Sequence, residues 1–221
     1  FVSGLGLKFT QSVIDLSGGM LFPLLCLTAI SAIILGMGMT TTAVYITVAA
    51  LIVPSLIQAG VTPIAAHMFA FYFGVVSTIT PPVALASFAG AAIAKSPPMA
   101  TAVESSKVGI AKYIVPFAFI YNPSLLMEGS YWISLYSLLS VLLAYWSMTL
   151  GLEGYLNKPL NVYTRIIAFI SSILLLLPPL SIFYGISGFL LNGVGFVILI
   201  FVYLIQGKFK LGHVKWKTFL K

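Results

Sequence analysis

The longest uncharged stretch of the chain decides what it can fold into. No Asp, Glu, Lys or Arg lies between Asp15 and Lys95. A membrane span needs about 20 predominantly apolar residues, so this stretch alone is long enough for about four spans. Only 7% of all residues are charged and the mean hydropathy is +1.11, whereas soluble domains carry roughly 25% charged residues. Because lipid-exposed backbone must be hydrogen-bonded within its own segment, the sequence predicts an all-α integral membrane protein.

Apolar runs separated by turn residues predict eight membrane helices. A short surface helix that runs into the next span is predicted at 98–112, with Pro98 in its first turn. On that helix Glu104 and Lys107 have the spacing of a solvated ion pair. Asn122 before Pro123 predicts a helix end. The predicted spans are 16–35, 41–57, 62–78, 82–94, 110–126, 131–150, 162–178 and 188–207.

The distribution of lysine and arginine predicts the orientation. The segment 208–221 holds five lysines and no acid, so the C-terminus is expected in the cytoplasm of a multi-pass protein of the cell inner (plasma) membrane. Counting back one span at a time places the basic loops 151–165 and 95–112 inside and the loop with Glu128 outside. Basic clusters can also bind nucleic acid, but this one follows directly on a span. We therefore expect it to contact the anionic lipid of the bilayer and no nucleic acid.

Two places in the uncharged stretch combine helix-breaking residues with hydroxyls. The first, LGMGMTTTAVY at 35–45, places Gly36 and Gly38 just before Thr40, Thr41 and Thr42. Glycine frees the backbone from side-chain constraint, and threonine hydroxyls can hydrogen-bond to backbone groups left over at a helix end. The pattern predicts an interrupted helix whose freed groups are satisfied by the threonines.

The second place, STITPPVALA at 77–86, has two adjacent prolines among hydroxyls. Pro81 and Pro82 remove two N–H donors and push Thr80 away from helical geometry, while Ser77 and Thr78 add hydroxyls beside the break. In hydrocarbon an unpaired backbone group costs several kcal/mol, so such breaks persist only inside protein or beside a water-filled cavity. A second interrupted helix is predicted here.

The interruptions have two explanations. Glycine and proline are common in membrane helices, where most of them serve packing or kinks. Two breaks that are both rich in hydroxyls favour the other explanation, because interrupted helices expose carbonyls and helix ends at membrane depth, where secondary transporters bind ions and anions.

These motifs also resemble a known family. The blocks GMGMTTTAVY, AHMFAFYFG and TPPVA, followed by VPFAFIYNPSLL at 115–126, resemble the large membrane subunit of tripartite ATP-independent periplasmic (TRAP) transporters, especially its fused-permease branch. The resemblance is specific over about 16–126. Residues 131–221 resemble, without sharp motifs, the additional C-terminal spans of some fused permeases.

The resemblance implies half of an inverted-repeat fold. Residues 1–130 would be the second repeat, with a re-entrant hairpin at 16–57, its tip at 36–42, and a discontinuous helix at 62–94. Residues 131–221 would be extra transmembrane helices with a basic cytoplasmic tail. Two complete spans at 16–57 give the same sidedness and stay an alternative to the hairpin.

The same resemblance implies partners. An extracytoplasmic solute-binding protein would deliver small organic anions, and the first repeat would lie upstream of Phe1 or be lost. The expected partners therefore include that missing N-terminal repeat or a small membrane subunit. The fragment by itself is not expected to transport.

The residue types at the two breaks predict the coupling ion. Hard cations prefer oxygen ligands, and 16–94 offers carbonyls and hydroxyls but no carboxylate for a proton relay. We expect sodium, with Gly38, Thr41, Thr78 and Thr80 as its candidate ligands. The wider ion- or substrate-binding set adds Gly36, Thr40, Thr42, Ser77, Pro81 and Pro82, and no other cofactor is expected.

Other functions are weighed against transport by a binding-protein-dependent permease. The chain shows no nucleotide loop, no HExxH and no Cys/His cluster, so no enzyme is predicted. His67, alone in an apolar helix, is expected to donate a hydrogen bond between helices, with a ligand or proton role as the alternative. A divalent-anion/sodium symporter or a non-transporting membrane scaffold stays open.

Overall fold

The computed structural model describes residues 4–156, 158–183 and 186–205. The described chain is mostly helical and divides into two compact units, Phe1–Ser134 and Leu135–Lys221. Its helices long and apolar enough to cross a membrane are Thr41–Gln58, Tyr131–Glu153 and Gly188–Ile205. The predicted basic tail at 208–221, including Trp216, lies outside the described residues. The prediction of a helical membrane protein is confirmed.

The first unit is built from short apolar helices. Their bounds are α1 Leu5–Leu16, α2 Leu21–Gly36, α3 Thr41–Gln58, α4 Pro63–Val76, α5 Leu85–Ala94, α6 Pro98–Val108 and α7 Ala111–Tyr121, followed by a 3-10 helix at Pro123–Leu126. Helices α2, α3, α4 and α5 correspond to the spans predicted at 16–35, 41–57, 62–78 and 82–94, with ends shifted by up to five residues.

Small residues make α4 the central helix of this unit. Ala65, Ala66 and Ala70 are fully buried or nearly so, and they let α2 and α3 pack closely against α4. Membrane helices associate through such close backbone approach, since lipid provides no hydrophobic driving force between them. Phe69 of α4 is also completely buried, and its ring meets that of Phe117 of α7 edge to face, with 5.5 Å between centroids.

Helix α1 corrects the sequence analysis, which placed the first helix at 16–35. Thr10 and Val13 of α1 are buried, and Thr10 Oγ1 donates a hydrogen bond to the carbonyl oxygen of Leu51 on α3 over 3.5 Å. Gly18 and Gly19, both with positive φ, then separate α1 from α2. The charges of Lys8 and Asp15 hid this helix, because their presence suggested a segment outside the membrane.

The predicted discontinuous helix is present as two helices. Helix α4 has 14 residues and α5 has 10, lengths of about 21 Å and 15 Å. Each is too short for a hydrocarbon core of about 30 Å, although the two together exceed it. The interruption between them, at 77–84, is therefore a real feature of the first unit. Its placement in a bilayer stays a prediction.

The span predicted at 110–126 is not one helix. Helix α6 stops at Val108, and α7 ends at Tyr121 because Asn122 takes a non-helical conformation (φ −131°) before Pro123. The helix end expected at Asn122 is thus confirmed, but the continuous helix beyond it is wrong. The predicted ion pair is present, with 2.6 Å between Lys107 Nζ and Glu104 Oε1. Since both side chains are about two-thirds exposed, the pair contributes little stability.

The second unit packs its helices through buried polar side chains. It contains most of α8 Tyr131–Glu153, together with α9 Val162–Leu176 and α10 Gly188–Ile205. Ser147 Oγ of α8 donates to the carbonyl oxygen of Ala168 over 2.8 Å, and Ser171 Oγ of α9 donates to that of Gly195 over 2.7 Å. Such hydrogen bonds between helices replace the missing hydrophobic driving force in lipid.

A short β-hairpin in the second unit was not predicted. Ile182–Phe183 forms β1 and Ile186–Ser187 forms β2, and the two pair in antiparallel fashion. The pair lies between α9 and α10, after two prolines at 178 and 179 that end the helical pattern. The strands are two residues long, so they do not alter the helical class of the fold.

Candidate functional site

The first predicted interruption lies between α2 and α3. Helix α2 ends at Gly36, and α3 begins at Thr41 after an extended Met37 and Thr40. Gly38 has a φ of +79°, a backbone conformation that residues other than glycine rarely adopt. The turn is held by one weak backbone contact, from Met39 N to Gly36 O over 3.4 Å. The chain therefore reverses here around a glycine-dependent turn.

The three threonines at this turn do not satisfy its backbone. Thr40, Thr41 and Thr42 are exposed, and their hydroxyls form no hydrogen bond within the part of the chain that the structure describes. The expectation that they would satisfy the freed groups is wrong: Thr40 stands at the N-cap of α3 and makes no side-chain cap hydrogen bond. Their oxygens stay available to a ligand.

The second interruption begins where α4 ends at Val76. Three hydroxyls donate to carbonyls of the last helical turn: Ser77 Oγ to Gly74 O over 2.6 Å, Thr78 Oγ1 to Val75 O over 2.7 Å, and Thr80 Oγ1 to Val76 O over 2.7 Å. Ser77 thus satisfies the freed carbonyl of Gly74 as expected, whereas Val75 O and Val76 O also accept backbone N–H groups, from Thr78 and Ile79. Once its proton is used in this way, each oxygen can still accept or bind a cation.

The second break also contains backbone carbonyls that accept no hydrogen bond within the described part of the chain. The backbone N–H of Ala86 donates to Thr78 O over 3.0 Å, which links α5 to the break. The carbonyls of Thr80, Pro81, Pro82 and Val83 accept no hydrogen bond among the described residues. The peptide bond between Pro81 and Pro82 is cis. Unpaired carbonyls in an apolar unit are the groups from which ion sites in interrupted helices are built.

The fold brings the two interruptions into contact. A Cβ placed on Gly36 would lie 2.5 Å from Ser77 Oγ and 3.1 Å from Val44 Cγ1, and one on Gly38 would lie 3.9 Å from Val83 Cγ1. Gly36 and Ser77 are both buried. The end of α2 and the end of α4 therefore touch directly, because glycine leaves no side chain between them. Gly36, Gly38, Ser77 and the residues after Thr80 form one candidate site rather than two.

Two residues of this site were missed by sequence reasoning. Ser106 Oγ of α6 donates to Ile79 O over 3.0 Å, and Tyr113 OH of α7 lies 2.6 Å from Thr80 Oγ1. The sequence analysis singled out neither Ser106 nor Tyr113. No spacing rule along the chain indicates that residues 27 and 33 positions after their partners return to the break.

The candidate site offers only uncharged oxygen ligands, from hydroxyls and backbone carbonyls. No ionisable carboxylate or amine lies in 16–94, and the described residues contain no group of three or more His, Cys, Asp or Glu that could hold a metal ion. Hydroxyls and carbonyls suit a hard, weakly charged cation rather than a transition metal.

His67 takes part in a hydrogen bond between two helices. Its Nδ1 lies 3.0 Å from the hydroxyl of Tyr45 on α3, so a hydrogen bond between helices is present as expected. The tautomer of His67 decides which of the two groups donates, and donation by His67 stays a prediction. The alternative ligand or proton role is not needed to explain its contacts.

Thiol labelling of the first turn separates a re-entrant hairpin from two full spans. Single cysteines at Met39 and Ala43, with Cys26 replaced by alanine, are expected to react slowly and only with small reagents, since the turn then lines a protein cavity. Sodium should slow the reaction further. Fast cytoplasmic labelling by bulky reagents, unchanged by sodium, would instead mean two plain spans, although short cytoplasmic loops usually gather lysine or arginine and this turn has none.

Apolar helices of spanning length, together with short helices interrupted at one hydroxyl- and carbonyl-rich place, define a multi-pass helical membrane protein of the transporter type. Residues 1–131 match the family model described as tripartite ATP-independent periplasmic transporter, DctM component. This match covers more than half of the chain, and the chain belongs to that family. No curated protein and no solved structure matches it.

The family assignment confirms the resemblance to a TRAP large permease. It is a family of transporter components and not of enzymes, and it favours the TRAP permease over the divalent-anion symporter and the scaffold. The matched region contains helices α1 to α7 of the first unit and both interruptions.

Proposed function

We propose that the chain is the second-repeat part of a TRAP permease that imports small organic anions on a sodium gradient. The contact between the two interruptions supports this most strongly, because it gathers hydroxyls and unpaired carbonyls without any carboxylate. A sodium ion at this place would accept neutral oxygen ligands. Gly38, Thr41, Thr78 and Thr80 are its proposed ligands.

The proposed partners complete the transporter. An extracytoplasmic solute-binding protein delivers the anion, and a first repeat or a small membrane subunit provides the other half of the transport path. The protein lies in the cell inner membrane with its C-terminus in the cytoplasm, where its lysines contact anionic lipid.

Uptake into proteoliposomes tests the proposal. The chain is reconstituted with the remaining permease and the binding protein, and radiolabelled mono- and dicarboxylates are offered outside. Uptake is expected with an inward sodium gradient and should fall to background, roughly tenfold or more, when potassium replaces sodium, because no carboxylate relay in 16–94 can use protons instead. Undiminished uptake driven by a proton gradient alone would contradict the proposal.

A further inference from the structure

The break after α4 is also held from the side, by α6 and α7. Ser106 Oγ donates to Ile79 O over 3.0 Å, and Tyr113 OH lies 2.6 Å from Thr80 Oγ1. The turn between α6 and α7 packs against the same place, since a Cβ on Gly109 would lie 2.7 Å from Ile79 Cδ1. Two consecutive residues of the break are thus fixed by helices to which they do not belong.

The direction of each hydrogen bond follows from counting protons. Thr80 has one hydroxyl proton, and it donates that proton to Val76 O over 2.7 Å. In the 2.6 Å contact Tyr113 must therefore be the donor. Ser106 donates its own proton to Ile79 O. Tyr113 also has a single proton, so its 3.3 Å contact with Ser106 Oγ is only the weaker branch of a donation shared with Thr80. All three protons are committed, and removing either Ser106 or Tyr113 leaves an acceptor at the break unfilled.

These contacts matter because of what comes next along the chain. The carbonyl of Thr80 belongs to the second anchored residue, and that of Pro81 to the next residue along the chain. Neither accepts a hydrogen bond among the described residues. Their direction therefore depends on how firmly Ile79 and Thr80 are held. A site built from carbonyl ligands needs such support, because loosely held ligands bind weakly.

We propose that Ser106 and Tyr113 are positioning residues that set the sodium affinity of the site by holding the backbone at Ile79 and Thr80. The inference rests on the proposed function.

Binding of radiolabelled sodium to the full chain in lipid nanodiscs tests the proposal. Tyr113→Phe keeps the ring but removes the donor, and it is expected to raise the half-saturating sodium concentration about three- to tenfold, the equivalent of one net hydrogen bond. The amount bound at saturation should not change. Ser106→Ala should act in the same direction, and Ser106→Thr, which keeps the hydroxyl, should restore most of the affinity.

Matched controls come from neighbouring residues. The hydroxyl of Tyr72 forms no hydrogen bond in the described part of the chain, and its ring packs on Phe119, so Tyr72→Phe should leave binding unchanged. Ser105 Oγ donates only to Thr101 O within its own helix, so Ser105→Ala should do the same. A merely structural role for Tyr113 would lower the amount bound and not the affinity.

Three results would overturn the inference. If the wild type binds sodium and Tyr113→Phe and Ser106→Ala bind it with unchanged affinity, the positioning role is wrong while the proposed function stands. Loss of capacity without an affinity shift in Ser106→Ala, reversed by no conservative variant, also contradicts it. A wild type that binds no sodium at all overturns the proposed function and this inference together.

Discussion

Replacing Gly36 by alanine is expected to weaken sodium binding by about five- to 150-fold. Extra volume forced into a packed core costs about 1–3 kcal/mol, and 1.4 kcal/mol is a factor of ten. The new Cβ would lie 2.5 Å from Ser77 Oγ and 2.9 Å from Ser77 Cβ. Neither atom can move easily, because Ser77 is completely buried and donates to Gly74 O. The methyl group must therefore push α2 away from the break.

Two further variants make the Gly36→Ala result specific. Gly90 lies within α5, and a Cβ there would meet no atom within 4 Å, so Gly90→Ala should bind sodium as the wild type does. The double variant Gly36→Ala/Ser77→Gly removes the opposing side chain, so it should bind sodium more tightly than Gly36→Ala. Its affinity should stay below that of the wild type, because the Ser77 hydroxyl, itself part of the candidate site, is lost. Normal binding by Gly36→Ala, or an equal loss in Gly90→Ala, would show that the contact between the two breaks is not part of the site.

Replacing both Pro81 and Pro82 by alanine is expected to abolish sodium-driven uptake while leaving membrane insertion intact. The change returns two N–H donors to the backbone and removes rings that oppose helix formation by about 3 kcal/mol each. The segment 77–84 can then continue the helix of α4, and its free carbonyls become occupied by intrahelical hydrogen bonds. Uptake by the reconstituted transporter and hydrogen exchange of the 77–84 amides measure the two effects.

The chain contains its own control for this double substitution. Pro97 and Pro98 are likewise adjacent, but they are exposed at the start of α6, where proline suits the first turn. Pro97→Ala/Pro98→Ala should transport at a near-normal rate. If the variant at 81 and 82 also transports normally, and its 77–84 amides are protected, then the prolines are packing kinks and the carbonyls are not ligands.

Helix positions and interruptions could be predicted from sequence because they depend on local chemistry. Glycine at 36 and 38 and proline at 81 and 82 act on their own backbone, so their effect is visible in the chain order. Helix α1 was missed because charged residues were taken to mark a loop. Lys8 and Asp15 instead lie on a helix whose other side, with Thr10 and Val13, is buried.

The contacts that assemble the site could not be predicted in this way. The approach of Gly36 to Ser77 depends on how closely α2 packs on α4, and that distance follows from small buried residues on several helices at once. Ser106 and Tyr113 return to the break only because α6 and α7 fold back over it. The exposure of Thr41 at the start of α3 likewise depends on which face of the helix packs on its neighbours.

The central claim is that both interruptions build one sodium site, and equilibrium sodium binding to the purified full chain tests it most directly. Radiolabelled sodium is titrated against the wild type, Gly36→Ala, the Pro81→Ala/Pro82→Ala variant and the combination of all three changes, with potassium as the competing ion. We predict saturable binding that potassium does not displace, weakened by either change, with the combination little worse than the weaker parent because both act on the same ligands. Unchanged binding in both parents, or losses that simply add, would contradict a single shared site.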